Sequence, residues 1–239
     1  MEGSASPCPV NAPLEVRVRR HPRARRLTLR LDARGVPVLT APPGIGARRI
    51  QSFLDTHRDW LISQMAAQPA PVPFRPGAEV PVLGIPRLIR HDGQRGRPAE
   101  LVEDAILVRG PAESIGGRVA RLLREVARDR LGAAAREHAA ALDAPLSEIR
   151  LADPKSRWGS CSSRGVVSFS WRLVLAPVPV LDYVAAHEVA HLHEMNHGPR
   201  FWELVERRVP DWKRQRNWLR REGAGLHRYG QVPGRDRAR

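Results

Sequence analysis

The chain has 239 residues, with 40 basic side chains against 25 acidic ones and a formal net charge of +15. That length suits one large domain or two small ones and is enough to bury a core. No run of roughly 18 apolar residues occurs, which excludes a membrane-spanning helix, and the only cysteines, Cys8 and Cys161, exclude a disulfide-stapled scaffold. The first residues lack a basic start followed by an apolar stretch, so no secretory signal is expected and the cytoplasm is the expected compartment.

The excess charge sits at the two ends. Residues 1–49 carry +7 and residues 200–239 another +7, whereas residues 50–199 carry only +1. Such basic ends can dock a polyanion such as nucleic acid. Of the 40 basic residues 38 are Arg, in a chain rich in Ala, Pro, Gly and Val, so a compositional bias accounts for the same excess. Few aromatic residues interleave with the N-terminal arginines, and no base-stacking platform is visible there.

Residues 1–13 are small, polar and Pro-containing, and read as a disordered tail. Alternation then predicts a β-meander: Leu14, Val16 and Val18 on one strand, Leu27, Leu29 and Leu31 on the next, Val36, Val38 and Thr40 on the third. Ile50, Phe53, Leu54, His57, Leu61 and Met65 predict a helix over 47–65. Residues 68–78 are Pro-rich and read as a linker or loop. Val80, Val82 and Leu83 pair with Leu88 and Ile89 as a hairpin around Gly84, and Leu101-Val102 and Ile106–Val108 read as two more strands. A long helix is expected over 113–141, with Val119, Leu122, Leu123, Val126 and Leu131 as its stripe and Gly132 as a bend or break. Glu148–Leu151 reads as a strand, Trp158–Ser163 as a turn and Val166–Trp171 as a returning strand. Pro177 and Pro179 introduce one more helix.

That last helix carries His187-Glu188-Val189-Ala190-His191, an H-E-x-x-H pattern. Two histidines four apart project from one helix face, and both imidazoles can reach one tetrahedral zinc. Glu188 lies beside the first ligand, where it can accept a proton from an activated water. The small and apolar flanks, Val184, Ala185, Val189, Ala190 and Leu192, are not those of a solvated helix face. A third ligand is needed. On a continued helix His197 would lie about 9 Å beyond His191, but Asn196, Gly198 and Pro199 are turn residues, and Pro199 fits the first position of a following helix. His197 therefore folds back onto the metal in this reading, with Glu203 or Glu206 as the alternative third ligand. The H-E-x-x-H-x₅-H spacing equals that of metzincins, yet Glu194 stands where their turn has Gly. His193 faces away on a helix. Three protein ligands leave an open coordination position, as in a catalytic rather than a structural site.

Further residues extend the pattern: Ile149-Arg150, Lys155-Ser156-Arg157-Trp158-Gly159-Ser160-Cys161, Trp171-Arg172-Leu173, Asp182-Tyr183-Val184, Asn196-His197, Phe201-Trp202 and Pro210-Asp211-Trp212. With the H-E-x-x-H helix, this set resembles the YgjP-like metal-dependent hydrolases, relatives of the SprT and WLM metallopeptidases. The likeness is strongest over 149–222 and extends more weakly over 14–110. It implies an α+β fold: a zincin-like metallopeptidase core over 112–225, an N-terminal β-rich region over 14–111 and a basic C-terminal tail over 226–239. It implies Zn²⁺ on His187, His191 and His197, Glu188 as general base, and a peptide or protein substrate held by strand addition along the hairpin from Trp158 to Leu173. Ser170 and Gly198 depart from the family's usual Asn and Ser.

Cys161 reads either as a fourth ligand or switch, or as a small buried hydrophobe. Trp158, Trp171, Phe201 and Trp202 read as core around the site. Arg157 and His193 are the candidates for stabilising an oxyanion. The expected activity is a zinc-dependent hydrolase of metallopeptidase type. The alternatives are a metal-dependent hydrolase of nucleotide phosphoanhydrides, which lacks a P-loop or a carboxylate-rich Mg²⁺ site here, and a protein-binding module associated with nucleic acid.

Overall fold

The computed structural model describes residues 15–32, 35–66, 70–93 and 96–231. The expected tail 1–13, Leu14 of the first expected strand and residues 232–239 of the basic tail lie outside the described residues. The chain divides into two compact units between Gln68 and Pro69, ahead of the boundary expected near 112. Among the described residues no helix is long and apolar enough to cross a membrane.

The first unit holds β1 (Arg17–Arg20), β2 (Thr28–Leu31), β3 (Pro37–Ala41), α1 (Ala47–Thr56) and α2 (Arg58–Ala66). The sheet order is β1-β3-β2, with β1 parallel and β2 antiparallel to β3. The expected meander would have put β2 in the middle. Composition explains the difference: β3 reads Pro-Val-Leu-Thr-Ala and is mostly buried, whereas β1 reads Arg-Val-Arg-Arg and is exposed throughout, so the apolar strand takes the position bonded on both edges. Leu39 and Ala41 on it pack on Ile50, and Val38, of the expected Val36, Val38 and Thr40, is buried as well. The single expected helix is two. The break falls at His57, whose Nδ1 donates to the Phe53 carbonyl at 2.8 Å and whose ring stacks on Phe53.

The second unit begins with a four-stranded sheet of β4 (Glu79–Val82), β5 (Ile85–Asp92), β6 (Ala99–Leu101) and β7 (Ala105–Arg109), in the order β4-β5-β7-β6. The expected hairpin forms. Gly84, at φ +81°, closes it so tightly against Pro177 that a Cβ would lie 2.9 Å from the proline Cα; only glycine fits there. Of the linker or loop expected over 68–78, residues 70–78 form a packed loop: Val72 is hydrogen-bonded to Arg228 and Gly230, and Phe74 is buried.

The long helix α3 (Ile115–Leu142) runs unbroken through Gly132. Val119, Leu123, Ala127, Leu131, Ala135 and Ala139 form its buried stripe, each four residues after the last, so that successive members lie about one turn apart along the helix. Leu122 and Val126 of the expected stripe are half-buried. A second sheet, β8 (Glu148–Ala152), β9 (Gly159–Cys161) and β10 (Val166–Ser170), has the order β8-β10-β9, with β9 antiparallel on an outer edge. The segment expected as a turn at 158–163 therefore contains a strand, and Trp171 starts a 3₁₀ turn (Trp171–Leu175) instead of ending β10.

Helix α4 (Val178–Ala190) buries nine of its residues, as its apolar composition all round demands. It packs against α3, α5 (Pro199–Arg208), α6 (Trp212–Glu222), β9 and β10. One buried polar join links three of these helices. The Arg208 Nε donates to His138 Nδ1 at 3.0 Å, so His138 Nε2 carries the proton and donates to Asp182 Oδ1 at 2.9 Å. A 3₁₀ turn (Gly223–Arg228) follows α6, with Leu226 and His227 buried, so the chain expected as a basic tail is packed as far as these residues.

Candidate metal centre

His187 and Glu188 occupy the last turn of α4, and His191 is the residue on which the helix ends. The chain then leaves the helical path through residues 192–197, as expected from Asn196 and Gly198. Pro199 opens α5 with Gly198 as its N-cap. This reversal brings His197 back. One nitrogen from each of His187, His191 and His197 lies within 4.8 Å of the other two, and Nε2 of His187 is 3.2 Å from Nε2 of His197. Two nitrogens on a tetrahedral zinc at about 2.05 Å stand roughly 3.3 Å apart.

Two further observations fit a shared cation. The Nδ1 of His191 lies 2.9 Å from the Glu194 carbonyl. A carbonyl only accepts, so Nδ1 carries the proton and Nε2 keeps a free lone pair. The Nδ1 of His187 is buried without a hydrogen-bond partner among the described residues, which leaves Nε2 as the nitrogen through which that ring is held. Burial, followed by the neighbouring His191 and His197, pushes the His187 imidazolium down to about 3. Burial also lowers His191, against the Glu194 carbonyl bond. Both rings are therefore neutral at pH 7, as ligands must be.

Glu188 is buried against β9. A Cβ on Gly159 would stand 2.5 Å from both Cγ and Oε1 of Glu188, so the carboxylate occupies the space that a side chain at 159 would fill. Burial holds its carboxyl up at about 8, with Arg157 opposing. Phe201 is fully buried, with its ring centroid 4.9, 4.5 and 4.7 Å from those of His187, His191 and His197. It forms the floor of the cluster. Trp202 stacks on His197 at 5.7 Å and on Trp212 at 4.1 Å. His197 itself is exposed, which leaves the cluster open to solvent.

Other expected residues fall elsewhere. Glu203 and Glu206 are exposed on α5, and neither joins a metal-capable group among the described residues. His193 is turned away, its Nε2 bonded to the Leu142 carbonyl at 3.0 Å at the end of α3; that contact leaves Arg157 as the oxyanion candidate from the sequence. Cys161 is half-buried, packs on the core and lies outside the histidine group. Burial and then the Glu188 charge push its thiol up to about 11, which keeps it protonated rather than a ready ligand. Trp171 is buried as core, while Trp158 and Trp202 are half-buried. Gly159 and Tyr183 (buried, edge-on to His187 at 5.8 Å) stand in the segments that carry the family resemblance, but the sequence reading gave neither a role. Arg216, whose guanidinium carbon is 5.1 Å from the Trp202 ring centre, was not singled out.

A helix that presents two histidines and a buried carboxylate, with a third histidine returned by a turn, is an arrangement found in metallopeptidases. The sequence matches the model of the YgjP-like metallopeptidase domain over residues 25–222. The chain belongs to the YgjP-like family and is a hydrolase of the metallopeptidase type. It is also similar to the crystal structure of the metallopeptidase zymogen abylysin from Pyrococcus abyssi, with 23% identity, 41% of this chain and 90% of that chain covered, and a TM-score of 0.28. No curated protein matches the chain.

Proposed function

We propose that the chain is a zinc-dependent peptidase in which His187, His191 and His197 hold the metal and Glu188 is the general base. The observation that carries this reading is the convergence of three imidazole nitrogens beside a buried carboxylate. Zinc, when bound, polarises the scissile carbonyl and acidifies the attacking water. Glu188 accepts the proton from that water and passes it to the leaving amine. The substrate is a peptide or protein, and the outer edge of β9 is the candidate surface for pairing with it as an added strand. Two facts support that choice: β9 is an edge strand, and Gly159 on it touches the Glu188 position.

The test compares metal content and hydrolysis of an unstructured protein in three forms. The parent should hold one zinc per chain, and His197→Ala should lose it. Glu188→Gln should keep the metal and lose turnover by about 100-fold or more. Full zinc in His197→Ala, or parental turnover in Glu188→Gln, would overturn the assignment.

A further inference from the structure

Arg216 lies on α6 without a carboxylate. Its guanidinium carbon is 5.1 Å from the Trp202 ring centre and 5.8 Å from that of Trp212. The two indoles are stacked, 16° from parallel, and Trp202 lies 24° from parallel to His197 and 5.9 Å from His187. A guanidinium, two indoles and two imidazoles thus form one continuous assembly. Of the other half-buried arginines of this unit, Arg109 meets Glu100 and Asp92, Arg172 meets Asp153, and Arg208 meets Glu137, whereas Arg87, Arg118 and Arg228 meet no carboxylate within ion-pair distance among the described residues. Among the described residues, Arg216 meets no acidic group within ion-pair distance.

This charge reaches the candidate centre. It does so through Trp202, whose ring lies 5.1 Å from the guanidinium carbon, 5.7 Å from the His197 ring and 5.9 Å from the His187 ring. On the reading proposed above, on which this inference rests, the histidines hold a dication. A second, fixed cation beside a dication raises the energy of the ligand-free site unless an anion arrives with the ligand. The guanidinium presents parallel donors that match a carboxylate in two-pronged fashion, and the indoles give it a flat wall that keeps one face from water. Packing on the indoles explains where Arg216 rests; what sets it apart from the other unmatched guanidiniums is that the indole it rests on, Trp202, stacks on His197 of the cluster.

We infer that Arg216 is the residue that binds a carboxylate of the peptide substrate, carried either on an acidic side chain near the scissile bond or at the C-terminus. The peptidase would then prefer carboxylate-bearing peptides over their neutral amides. A role in stabilising the oxyanion would instead lower kcat for every peptide alike.

The experiment reads binding on metal-free protein, through tryptophan fluorescence, and so does not depend on turnover. The probes are amidated hexapeptide pools with one position fixed as Glu or as Gln, and an otherwise neutral pool with a free C-terminal carboxylate. The parent should bind the Glu pool or the free-acid pool about tenfold more tightly than the neutral pools, and which of the two is bound identifies the source of the carboxylate. Arg216→Gln should erase that preference with its affinity for the neutral pools unchanged, and Arg216→Lys should restore it in part. On zinc-loaded enzyme, Arg216→Gln should raise KM for the favoured pool and leave kcat near the parent's. Equal binding of acidic and neutral pools by the parent, binding of none, or an unchanged preference in Arg216→Gln would overturn the inference. A zinc-binding, hydrolysing parent with any of these results would sink only the role of Arg216. A parent that selects carboxylates but binds no zinc would sink only the peptidase reading.

Discussion

Glu188 and residue 159 share one small volume. With a hydrogen at 159 the carboxylate sits beside β9; with a methyl it must move, because the nearest Glu188 atoms would be 2.5 Å away. Gly159→Ala should therefore keep its metal, since the three atoms nearest that Cβ all belong to Glu188, and lose turnover by about 100-fold through displacement of the proposed base. Zinc content measured beside kcat checks both halves. At this scale the candidate site was largely legible. The four-residue spacing of His187 and His191 and the turn residues around His197 indicate convergence without coordinates. Phe201 was legible as core around the site, but not as the floor beneath all three rings, and Arg216 was not legible at all, because their place depends on how α5 and α6 cross α4, which no local spacing encodes.

At the scale of elements, α5 begins on Gly198, whose backbone (φ −79°, ψ −178°) is extended and whose side-chain position faces open space. Its N-cap supplies no side-chain acceptor. Gly198→Ser should stabilise the protein by about 0.3 kcal/mol through a cap bond to the first turn, read as a small rise in the denaturation midpoint with zinc content unchanged. The join of His138, Asp182 and Arg208 predicts a change of opposite sign. His138→Leu strips partners from a carboxylate and a guanidinium and should destabilise by about 1–3 kcal/mol, measured by chemical denaturation. Element type followed from periodicity for the long helix and the hairpin around Gly84. Strand order in the first unit did not, because alternation marks strands without saying which one takes the centre. The break at His57 also escaped it, since the apolar spacing continues across a helix end made by one side-chain bond.

Over the whole molecule, the buried titratable pair at the candidate centre sets a pH window for the metal-free protein. His187 titrates at about 3 when folded and near 6.5 when unfolded. Its contribution is present above pH 6.5 and is lost as the pH falls toward 3. Glu188 is held at about 8 against an ordinary 4.5. The folded state keeps a proton that the unfolded chain has released, so stability falls as the pH rises from 4.5 to 8. The two slopes oppose one another between 4.5 and 6.5. Stability of the chelated protein should be greatest in that interval and decline on either side. Denaturation midpoints from pH 4 to 9 should show this dome, and Glu188→Gln should remove the decline above 6.5 while leaving the acid side in place.

All three imidazoles of the candidate centre come from eleven consecutive positions, 187–197, with one five-residue connection doing the folding back. Ancestral insertions or deletions elsewhere, such as between β6 and β7, could accumulate without touching this geometry. A single residue gained or lost between 191 and 197 would swing the third ring off target in an otherwise intact molecule. The length of that short connection, more than its exact composition, should be the feature that lineage divergence is least free to alter.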